Sequence, residues 1–463
     1  MTAPATLRRQ ARDHLLMHFT RHGDLHPDGA DLLLLDRGEG IHLFDDAGRR
    51  YIDALSSLFC AQLGYSYGRE MGAVAAAQLE RLPFANTWSA AHPAAIELAT
   101  TLTGLAPPGV EKAFFTCDGS AAVEAAWKIA RLYHAANGEP QRRKAIARRT
   151  AYHGVTLGAL ALTGVEPYRA PFDPPAIAVR HVCNTNALRR AEQGSELTAA
   201  LLAELEQAII EEGPNEVAML IAEPVQNAGG CLVPPDGYWA GLRRLCDRYG
   251  ILLACDEIIT GCGRLGAWFG GVRYDAAPDL ITLAKGLTSA HAPMGAVLVA
   301  DRVADCFYAP ERTLLHGLTF GGHPMAAALA LRNIEIFARD HVLENVRANE
   351  HYLHEQLDTL RELPIVGDVR GAGYFWAIEL VAGDALARFD AAQRDELLRR
   401  FLPAELLRAG LIARADDRGD LVLHLAPPLI TTRSQLDEIV ARVGDVLEAT
   451  GRHTGAPGAV ASA

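Results

Sequence analysis

The chain has 463 residues and a formal net charge of −12 at pH 7, with 49% hydrophobic and 22% charged residues. This balance is typical of a globular protein large enough for two domains. An acidic charge without basic clusters argues against nucleic acid or an anionic membrane as the partner. No apolar run approaches the roughly 18 residues that a membrane helix needs.

The eight cysteines are scattered along the chain without a CxxC pair. A disulfide framework or a structural zinc site needs closer, patterned spacing, so we expect reduced thiols and no metal site. Because the first residues also lack the apolar stretch of a secretion signal, we predict a cytoplasmic protein. Four histidines recur every four residues near the start: His14, His18, His22 and His26. We interpret them as an exposed polar segment, since Gly23 and Pro27 interrupt the helix that would align them.

The middle of the chain predicts a sheet covered by helices. Residues 40–53 first predict a β-hairpin, because apolar residues alternate around an Asp-Ala-Gly turn. From about residue 90 to 330, short apolar runs then alternate with helical stretches. The runs lie at 112–116, 217–222, 251–255, 280–284 and 296–300. Near-continuous apolar strands between helices indicate a mainly parallel sheet with both faces covered.

After about residue 335 the pattern changes to helices around short strands at 374–380, 411–414 and 421–425. Thr432 and Gln435 predict a capping box for a final helix, whose apolar face continues to Leu447. We therefore predict a large domain of residues 66–335 and a smaller α+β domain of residues 336–450. Residues 1–65 contribute to the smaller domain, and residues 451–463 form a disordered tail.

The segment Gly261–Gly266 matches the GxGxxG pattern of dinucleotide-binding folds and follows an apolar strand. In such folds the glycines open a helix, whereas here two aromatic residues and two more glycines follow. We therefore interpret the segment as a turning loop, and an NAD-binding oxidoreductase remains the outside alternative.

Lysine is scarce, since only Lys112, Lys128, Lys144 and Lys285 occur. Lys285 follows a buried strand, where desolvation lowers the pKa of an amine and favours nucleophilic attack on a carbonyl. Asp256 and Glu257 end another buried strand, and only one of them can face each side. The inward carboxylate would suit a protonated ring nitrogen.

A strand, a Gly-Ser turn and a strong helix follow one another from Phe114 onward. The free amides of the helix start and the Ser120 hydroxyl would bind an anion. Lysine, carboxylate and anion site together suggest a phosphorylated pyridine aldehyde bound to Lys285.

With these features the chain resembles the class III aminotransferases, which are pyridoxal phosphate enzymes of fold type I. The resemblance extends from about Gly40 to Glu448, with several motifs in the family's order. These motifs are Phe114–Ser120, Tyr152–Gly158, Ala222–Gln226, Asp256–Arg264, Ala284–Leu287 and His316–Pro324. The resemblance implies an α/β fold, with a large domain built on a mainly parallel sheet of the seven-stranded type and a smaller α+β domain.

The resemblance also implies roles for single residues. Lys285 would attach pyridoxal 5′-phosphate covalently and carry protons, while Asp256 would keep the pyridine nitrogen protonated. Thr319 would reach the phosphate in the neighbouring subunit, which implies a homodimer with shared active sites. The other implied contacts are Gly119 and Ser120 at the phosphate, Tyr152 and Ile258 on the two ring faces, Gln226 at the phenolic oxygen, and His153 and Glu223 as nearby support.

For the substrate, Arg414 occupies the position of the family's carboxylate-binding arginine. The ornithine and γ-aminobutyrate branches usually have a glutamate at the position of Ala228, which pairs with that arginine. With alanine there, we expect Arg414 to lack such a partner, as in the ω-amino acid and amine:pyruvate branch. Phe59 and Trp88 would line an apolar substrate pocket, with core packing as the alternative for both.

The predicted reaction moves an amino group from an amine or ω-amino acid to a 2-oxo acid such as pyruvate, by a ping-pong mechanism. Aminomutases, racemases and a decarboxylase share this scaffold, so one of these pyridoxal phosphate reactions is the alternative. The predicted partners are the amine donor, the 2-oxo acid and a second copy of the chain.

Overall fold

A computed structural model describes residues 3–29, 31–383 and 386–455. The helices are α1 Pro4–His14, α2 Ser56–Phe59, α3 Gly68–Arg81, α4 Pro93–Leu105, α5 Gly119–Ala136, α6 Leu157–Leu162, α7 Glu166–Arg169, α8 Gly194–Glu212, α9 Tyr238–Tyr249, α10 Asp301–Ala304, α11 Pro324–Arg339, α12 Val342–Asp358, α13 Ala391–Glu396, α14 Leu402–Arg408 and α15 Arg433–Thr454. The strands are β1 Leu35–Glu39, β2 His42–Asp45, β3 Arg50–Asp53, β4 Val110–Thr116, β5 Lys144–Arg148, β6 Ala178–Val182, β7 Val217–Ala222, β8 Leu252–Asp256, β9 Leu280–Leu283, β10 Gly295–Ala300, β11 Val366–Ala372, β12 Phe375–Leu380, β13 Leu411–Ile412, β14 Arg414–Asp416 and β15 Val422–Leu425.

A seven-stranded sheet forms the centre of the molecule, in the order β4-β10-β9-β8-β7-β5-β6. Only β10 runs against its two neighbours, and the other six strands share one direction. Every residue of β7, β8, β9 and β10 is buried, as expected for strands with helices on both faces. The predicted mainly parallel sheet is therefore confirmed.

Two strands of this sheet were missed in the sequence, namely β5 and β6. Both carry charged residues, including Lys144 in β5 and Arg180 in β6, which interrupt the apolar pattern. β6 lies at the edge of the sheet, where one side of the strand is open. Edge strands tolerate such polar residues, and for that reason they give a weaker apolar signal.

Two smaller sheets accompany the central one, with the orders β1-β2-β3-β13 and β11-β12-β15-β14. The predicted hairpin is β2 and β3, which pair antiparallel. β13 from the C-terminal part pairs in parallel with β3, placing Leu411 opposite Ile52. This pairing supports the domain division that we propose, in which the N-terminal segment contributes to the smaller domain.

The final helix begins with the expected capping box, in which Thr432 and Gln435 bond each other's backbone. The helix continues to Thr454, so residues 451–454, which we expected in the tail, are helical. Residues 456–463, the rest of the predicted tail, lie outside the described residues.

The Gly261–Gly266 segment is a loop in which Gly263 and Gly266 adopt positive φ angles of 91° and 78°. Within it Arg264 is fully buried, and Nη1 donates to the carbonyl oxygens of Tyr374 at 3.0 Å and Pro427 at 2.6 Å. Burial lowers the pKa of this guanidinium to about 10. The glycines therefore let the loop turn around an arginine that joins it to the C-terminal part of the chain, and no helix start forms there.

The four spaced histidines do not share a helix, because α1 ends at His14. In the described parts of the chain, no group of three or more potential ligands is placed to hold a metal ion. Over the same residues, no helix combines the length and the apolar character needed to cross a membrane.

Candidate active site

Three strands of the central sheet end at a cavity of about 740 Å³. β8 ends at Asp256, β9 is followed by Lys285, and β4 is followed by the start of α5 at Gly119. Parallel strands end at the same edge of a sheet, which is where open α/β sheets bind ligands. Eight predicted site residues line this cavity: Gly119, Ser120, Tyr152, His153, Glu223, Asp256, Ile258 and Lys285.

Lys285 begins a tight turn, Lys285–Leu287, and its own backbone lies in the left-handed region at φ 41°. Burial lowers the pKa of its amine below 10.5, and the nearby Asp256 carboxylate opposes this shift. A Cβ on the next residue, Gly286, would lie 2.2 Å from Nε2 of Gln62 and 2.9 Å from Cβ of Cys262, so a side chain there would displace its neighbours. The turn thus presents an amine with an increased neutral fraction, as a nucleophile requires.

Asp256 is the acid of the pair that faces the cavity. Its Oδ2 lies 2.7 Å from Nδ1 of His153, and its Oδ1 accepts hydrogen bonds from the Thr282 hydroxyl and the Ile258 amide. These three contacts fix the position of the carboxylate. The Thr282 contact was not predicted, although the threonine interrupts an otherwise apolar strand.

Glu257 faces the other way and is also buried. Its carboxylate accepts hydrogen bonds from the amides of Gly270 at 2.9 Å and Gly271 at 2.6 Å, and from the Thr260 hydroxyl at 2.6 Å. Burial raises the pKa of this carboxyl group. Glu257 therefore orders a loop. Of the two adjacent acids, Asp256 is the one that faces the cavity, and Glu257 faces the opposite side.

The start of α5 forms the expected anion cradle. A Cβ on Gly119 would lie 2.9 Å from the Ile258 side chain, and one on Gly154 would lie 2.4 Å from Oγ of Ser120. The Asp118 side chain caps the helix by accepting from the Ala121 amide at 2.9 Å. The first-turn amides and the Ser120 hydroxyl remain suited to an anion at the positive end of the helix dipole.

Glu223 and Gln226 support the floor of the cavity. Glu223 accepts from the Asn227 amide at 2.9 Å, and burial raises the pKa of its carboxyl group. Gln226 is buried but does not line the cavity, and its Nε2 donates to the Thr150 hydroxyl and the Ala228 carbonyl, each at 2.9 Å. Its Oε1 has no hydrogen-bond partner in the part of the chain that the structure describes. Nε2 would have to leave these acceptors before it could donate to a phenolic oxygen.

Phe59 does not line the cavity, contrary to the prediction. Only 2% of it is exposed, and its ring packs against Phe375 and His424 at centroid distances of 5.8 and 6.0 Å. Positive φ angles at Ser56, Ser57 and Phe59 turn the chain so that Leu58, 53% exposed, reaches the cavity instead. The alternative of core packing is therefore correct for Phe59.

Trp88, Ala228 and Thr319 also lie outside this cavity. Trp88 is 70% exposed and lines a separate surface cavity with residues 312–318. Ala228 is fully buried, and Thr319 is exposed next to that same segment. None of the three contributes to the cavity that contains Lys285 within one copy of the chain.

The N-terminal segment contributes two residues that the sequence did not suggest, His18 and Phe19. Phe19 has a positive φ of 55°, and its ring lies 5.2 Å from that of Tyr168. A polar, arginine-rich segment carries no pattern that would point to a cavity wall, so only the folded chain reveals these residues.

Arg414 lines a second cavity, of about 790 Å³, that borders the first at Phe19. It does have an acidic neighbour, because its Nε lies 3.8 Å from Oδ2 of Asp416. This neighbour is not the glutamate that the other branches have at the position of Ala228. It comes from β14 itself, because alternate residues of a strand face the same side. Asp416 itself is held by Arg418, whose guanidinium carbon lies 5.3 Å from the centre of the Tyr152 ring.

Two histidines near the second cavity predict acid sensitivity. Burial lowers the pKa of His181 to about 4 and that of His424 to about 3. Below about pH 6.5 these two histidines therefore bind protons in the unfolded chain but stay neutral in the folded chain. The free energy of unfolding should fall between about pH 6.5 and pH 4, by at most about 1.4 kcal/mol per pH unit for each histidine. Urea unfolding across this range should show a smaller slope for His181→Gln, and an unchanged slope would contradict the assignment.

The groups around the first cavity fit pyridoxal phosphate. Lys285 supplies the amine for an aldehyde, Asp256 the carboxylate for a ring nitrogen, and the Gly119–Ser120 turn the phosphate site. The close approaches at Gly119 and Gly154 shape the cradle, since a side chain at either position would fill it. When bound, this cofactor supplies an electron sink for the carbanion that forms on removal of a proton.

The chain is similar to known proteins along most of its length. A model of the family described as aminotransferase class-III matches residues 26–447. A probable aminotransferase of Mycobacterium tuberculosis is 43% identical over 454 residues, covering 97% of this chain and 96% of that protein. A putrescine–pyruvate aminotransferase of Pseudomonas aeruginosa is 37% identical over 446 residues, covering 95% of each chain.

Two solved structures resemble the chain in both fold and sequence. That of an (S)-enantioselective omega-transaminase from Thermomicrobium roseum has a TM-score of 0.92 and 38% identity, covering 97% of this chain and 99% of that one. That of an omega transaminase from Pseudomonas jessenii in complex with PMP has a TM-score of 0.90 and 35% identity, covering 98% and 99%. These likenesses confirm the predicted fold type I.

Proposed function

Because this chain belongs to the class-III aminotransferases and catalyses pyridoxal phosphate-dependent transamination, we propose that its donor is an amine or ω-amino acid and its acceptor a 2-oxo acid such as pyruvate. The two half-reactions follow a ping-pong order, so the carbonyl product of the donor leaves before the acceptor binds.

The lining of the cavity that contains Lys285 supports this class of donor. The cavity that contains Lys285 is lined by apolar side chains such as Leu58, Phe19 and Met294, and no arginine is among its described lining residues. A carboxylate next to the reacting carbon would need a cationic anchor in that cavity. An amine whose neighbouring carbon carries no carboxylate does not need one. The carboxylate of the 2-oxo acid acceptor does need an anchor, and Arg414 of the bordering cavity is the candidate for it.

In the proposed reaction, each residue around the cavity has a separate role. Nζ of Lys285 takes the proton from the donor carbon and returns a proton in the second half-reaction. Asp256, held by His153 and Thr282, balances the positive charge of the ring nitrogen. The start of α5 would hold the phosphate, and the Tyr152 ring, which lines the same cavity, would pack against the pyridine.

The proposal predicts a half-reaction without acceptor. Adding butylamine alone to the holoenzyme should convert the cofactor completely to its aminated form, seen as loss of the yellow absorbance. Pyruvate added afterwards should restore that absorbance and yield alanine in equal amount, because the amino group is stored on the protein in between. A racemase, aminomutase or decarboxylase would return to the starting spectrum without pyruvate, and that result would contradict the proposal.

We also propose a homodimer with shared active sites. Several apolar side chains near the surface cavity of about 980 Å³ are exposed, among them Trp88, Leu315 at 77% and Phe320 at 60%. Exposed apolar clusters of this kind mark protein–protein contacts. Thr319 lies within this surface, where it is available to a second copy.

Leu315→Asp tests the dimer, because a carboxylate in an apolar contact is costly to bury. Sedimentation velocity should show a dimer for the unmodified protein and a larger monomer fraction for the variant, with activity falling in parallel. Leu16→Asp is a matched control, since Leu16 is 84% exposed on the N-terminal segment. A monomeric and fully active unmodified protein would overturn the proposal.

For location we propose the cytoplasm. All eight cysteines are free thiols, including Cys60 and Cys117 in the active-site cavity. Free, accessible thiols persist in reducing compartments, which supports this assignment.

A further inference from the structure

The turn that begins at Lys285 has an unfavourable backbone conformation. Lys285, Ser289 and Ala290 have φ angles of 41°, 46° and 66°, and none of them is a glycine. Residues with side chains rarely adopt this left-handed region, and they stay in it only where surrounding contacts hold them. Residues 285–290 therefore need contacts from another part of the chain to keep this shape.

One buried asparagine supplies such contacts. Asn333 lies in α11 and is fully buried. Its Nδ2 donates hydrogen bonds to the carbonyl oxygens of Gly286 at 2.9 Å and Leu287 at 3.1 Å. Its Oδ1 accepts a hydrogen bond from the Ser289 hydroxyl at 2.7 Å. Both hydrogens of the amide group are thus used, and a single side chain holds the turn at three points.

No other element replaces Asn333 in this role. In the part of the chain that the structure describes, every other hydrogen bond of residues 285–289 stays within the segment 284–292. An example is the Thr288 hydroxyl, which donates to the Ala292 carbonyl oxygen at 2.6 Å. Gln62 packs against Gly286, but its carboxamide has no hydrogen-bond partner among the described residues. Without Asn333 the turn would keep only its local hydrogen bonds.

Asn333 acts on the active-site cavity only through this turn. Lys285, Thr288 and Ala290 line the cavity, whereas no described residue of α11 does so. The Lys285 amine shares the cavity with Asp256, and burial lowers the pKa of that amine. A relaxed turn would let the amine move toward water, which would change both its distance from the cofactor and its charge.

We propose that Asn333 is a positioning residue for transamination, which fixes the Lys285 turn and so places the lysine amine for attachment of the cofactor and for proton transfer. The inference rests on the proposed function, since it takes the role of Lys285 from there. A purely structural asparagine would stabilise the fold without acting on that amine, and this difference is measurable.

The first measurement is the rate of the half-reaction of the holoenzyme with saturating butylamine. Asn333→Leu nearly keeps the size of the side chain but removes all three hydrogen bonds. It should slow the half-reaction about 10- to 100-fold, because small displacements of a reacting group have effects of this size. Ser289→Ala removes one of the three bonds and should slow it about 2- to 10-fold. The butylamine concentration that gives half the maximal rate should change less, because Asn333 does not line the cavity.

Asn349→Leu is the matched control. Asn349 is buried in the neighbouring helix α12 and bonds Asn345 and Arg433, away from the turn. Its loss should lower the free energy of unfolding but leave the rate of the half-reaction intact. Equal slowing by Asn349→Leu and Asn333→Leu would overturn the proposal.

A labelling measurement separates this inference from the proposed function. In holoenzyme loaded with pyridoxamine phosphate the Lys285 amine is free, so its acetylation by traces of acetic anhydride can be followed against pH by mass spectrometry, without turnover. The midpoint for Lys285 should rise by about one pH unit in Asn333→Leu, and by less in Ser289→Ala, as the amine becomes more hydrated. The midpoint for Lys112 should stay unchanged. The substitutions leave in place the titratable groups that act on the amine, which are Asp256, Cys60, Glu223 and Arg418.

An unchanged Lys285 midpoint, or slowing that only follows the folded fraction of each variant, would overturn the positioning role. If Asn333→Leu does not fold, the same two measurements on Ser289→Ala decide. Failure of the unmodified enzyme to aminate pyruvate from butylamine would overturn the proposed function, while the acetylation midpoints still decide the role of Asn333.

Discussion

Lys285→Ala is expected to abolish transamination, with kcat falling by at least about 10³-fold. The substitution removes both the amine that attaches the cofactor and the group that moves the proton, and general acid–base catalysis alone contributes roughly 10²- to 10⁴-fold. Initial rates of pyruvate amination measure the loss. Borohydride reduction followed by mass spectrometry should show a cofactor adduct on the unmodified chain and none on the variant.

Lys112→Ala is the matched control for this change. Lys112 is partly exposed and lies 3.6 Å from Asp301, far along β4 from the cavity. Its loss should leave both the rate and the adduct intact. An adduct that survives in Lys285→Ala would show that another lysine holds the cofactor and would contradict the site as described.

Asp256→Asn should give the second-largest loss, of about 10²- to 10³-fold in kcat, the usual effect of removing one preorganised electrostatic partner. In the proposed mechanism the carboxylate balances the positive charge of the ring nitrogen, and an amide cannot do so. It also faces Lys285 and opposes the lowering of that amine's pKa. The pH profile of the half-reaction with butylamine should therefore shift to lower pH in the variant.

Glu257→Gln provides a sharp contrast to Asp256→Asn, since it is the same chemical change one residue later. Glu257 accepts from three donors in a buried loop and does not line the cavity. Its substitution should lower the free energy of unfolding by about 1–3 kcal/mol, with little change in kcat for the folded protein. Equal kinetic effects at both positions would mean that the two acids do not have separate roles.

Three of the site residues that sequence analysis grouped together lie at or shortly after the ends of strands. Lys285, Asp256 and Gly119 each follow an apolar run, and in a parallel sheet the ends of such runs meet at one edge. Strand position is therefore enough to bring these three together. Strand position alone does not show which of Asp256 and Glu257 points into the cavity. Adjacent residues of a strand face opposite sides, and the strand pattern does not say which side is the cavity.

Residues in irregular segments were harder to place. Leu58 lines the cavity where Phe59 was expected to do so. The reason is that positive φ angles at Ser56, Ser57 and Phe59 break the simple alternation of a strand or helix. Asp416 was overlooked as a neighbour of Arg414 because the short β14 has no apolar signal of its own. Phe19 came from a polar segment that sequence analysis had set aside.

The sequence by itself thus determined the family and the cofactor, and it indicated Lys285 and Asp256 as the residues expected to bind that cofactor, because these features depend on ordered motifs at the ends of buried strands. Only the tertiary structure showed how the Asp256 and Glu257 carboxylates are held, which residues of the irregular segments line the cavity, and where the arginines lie. These features depend on long-range contacts, such as those joining Phe19, Tyr152 and Arg418 at the boundary between the two cavities. The separation of Arg414 from Lys285 follows from that boundary, and local sequence patterns do not encode it.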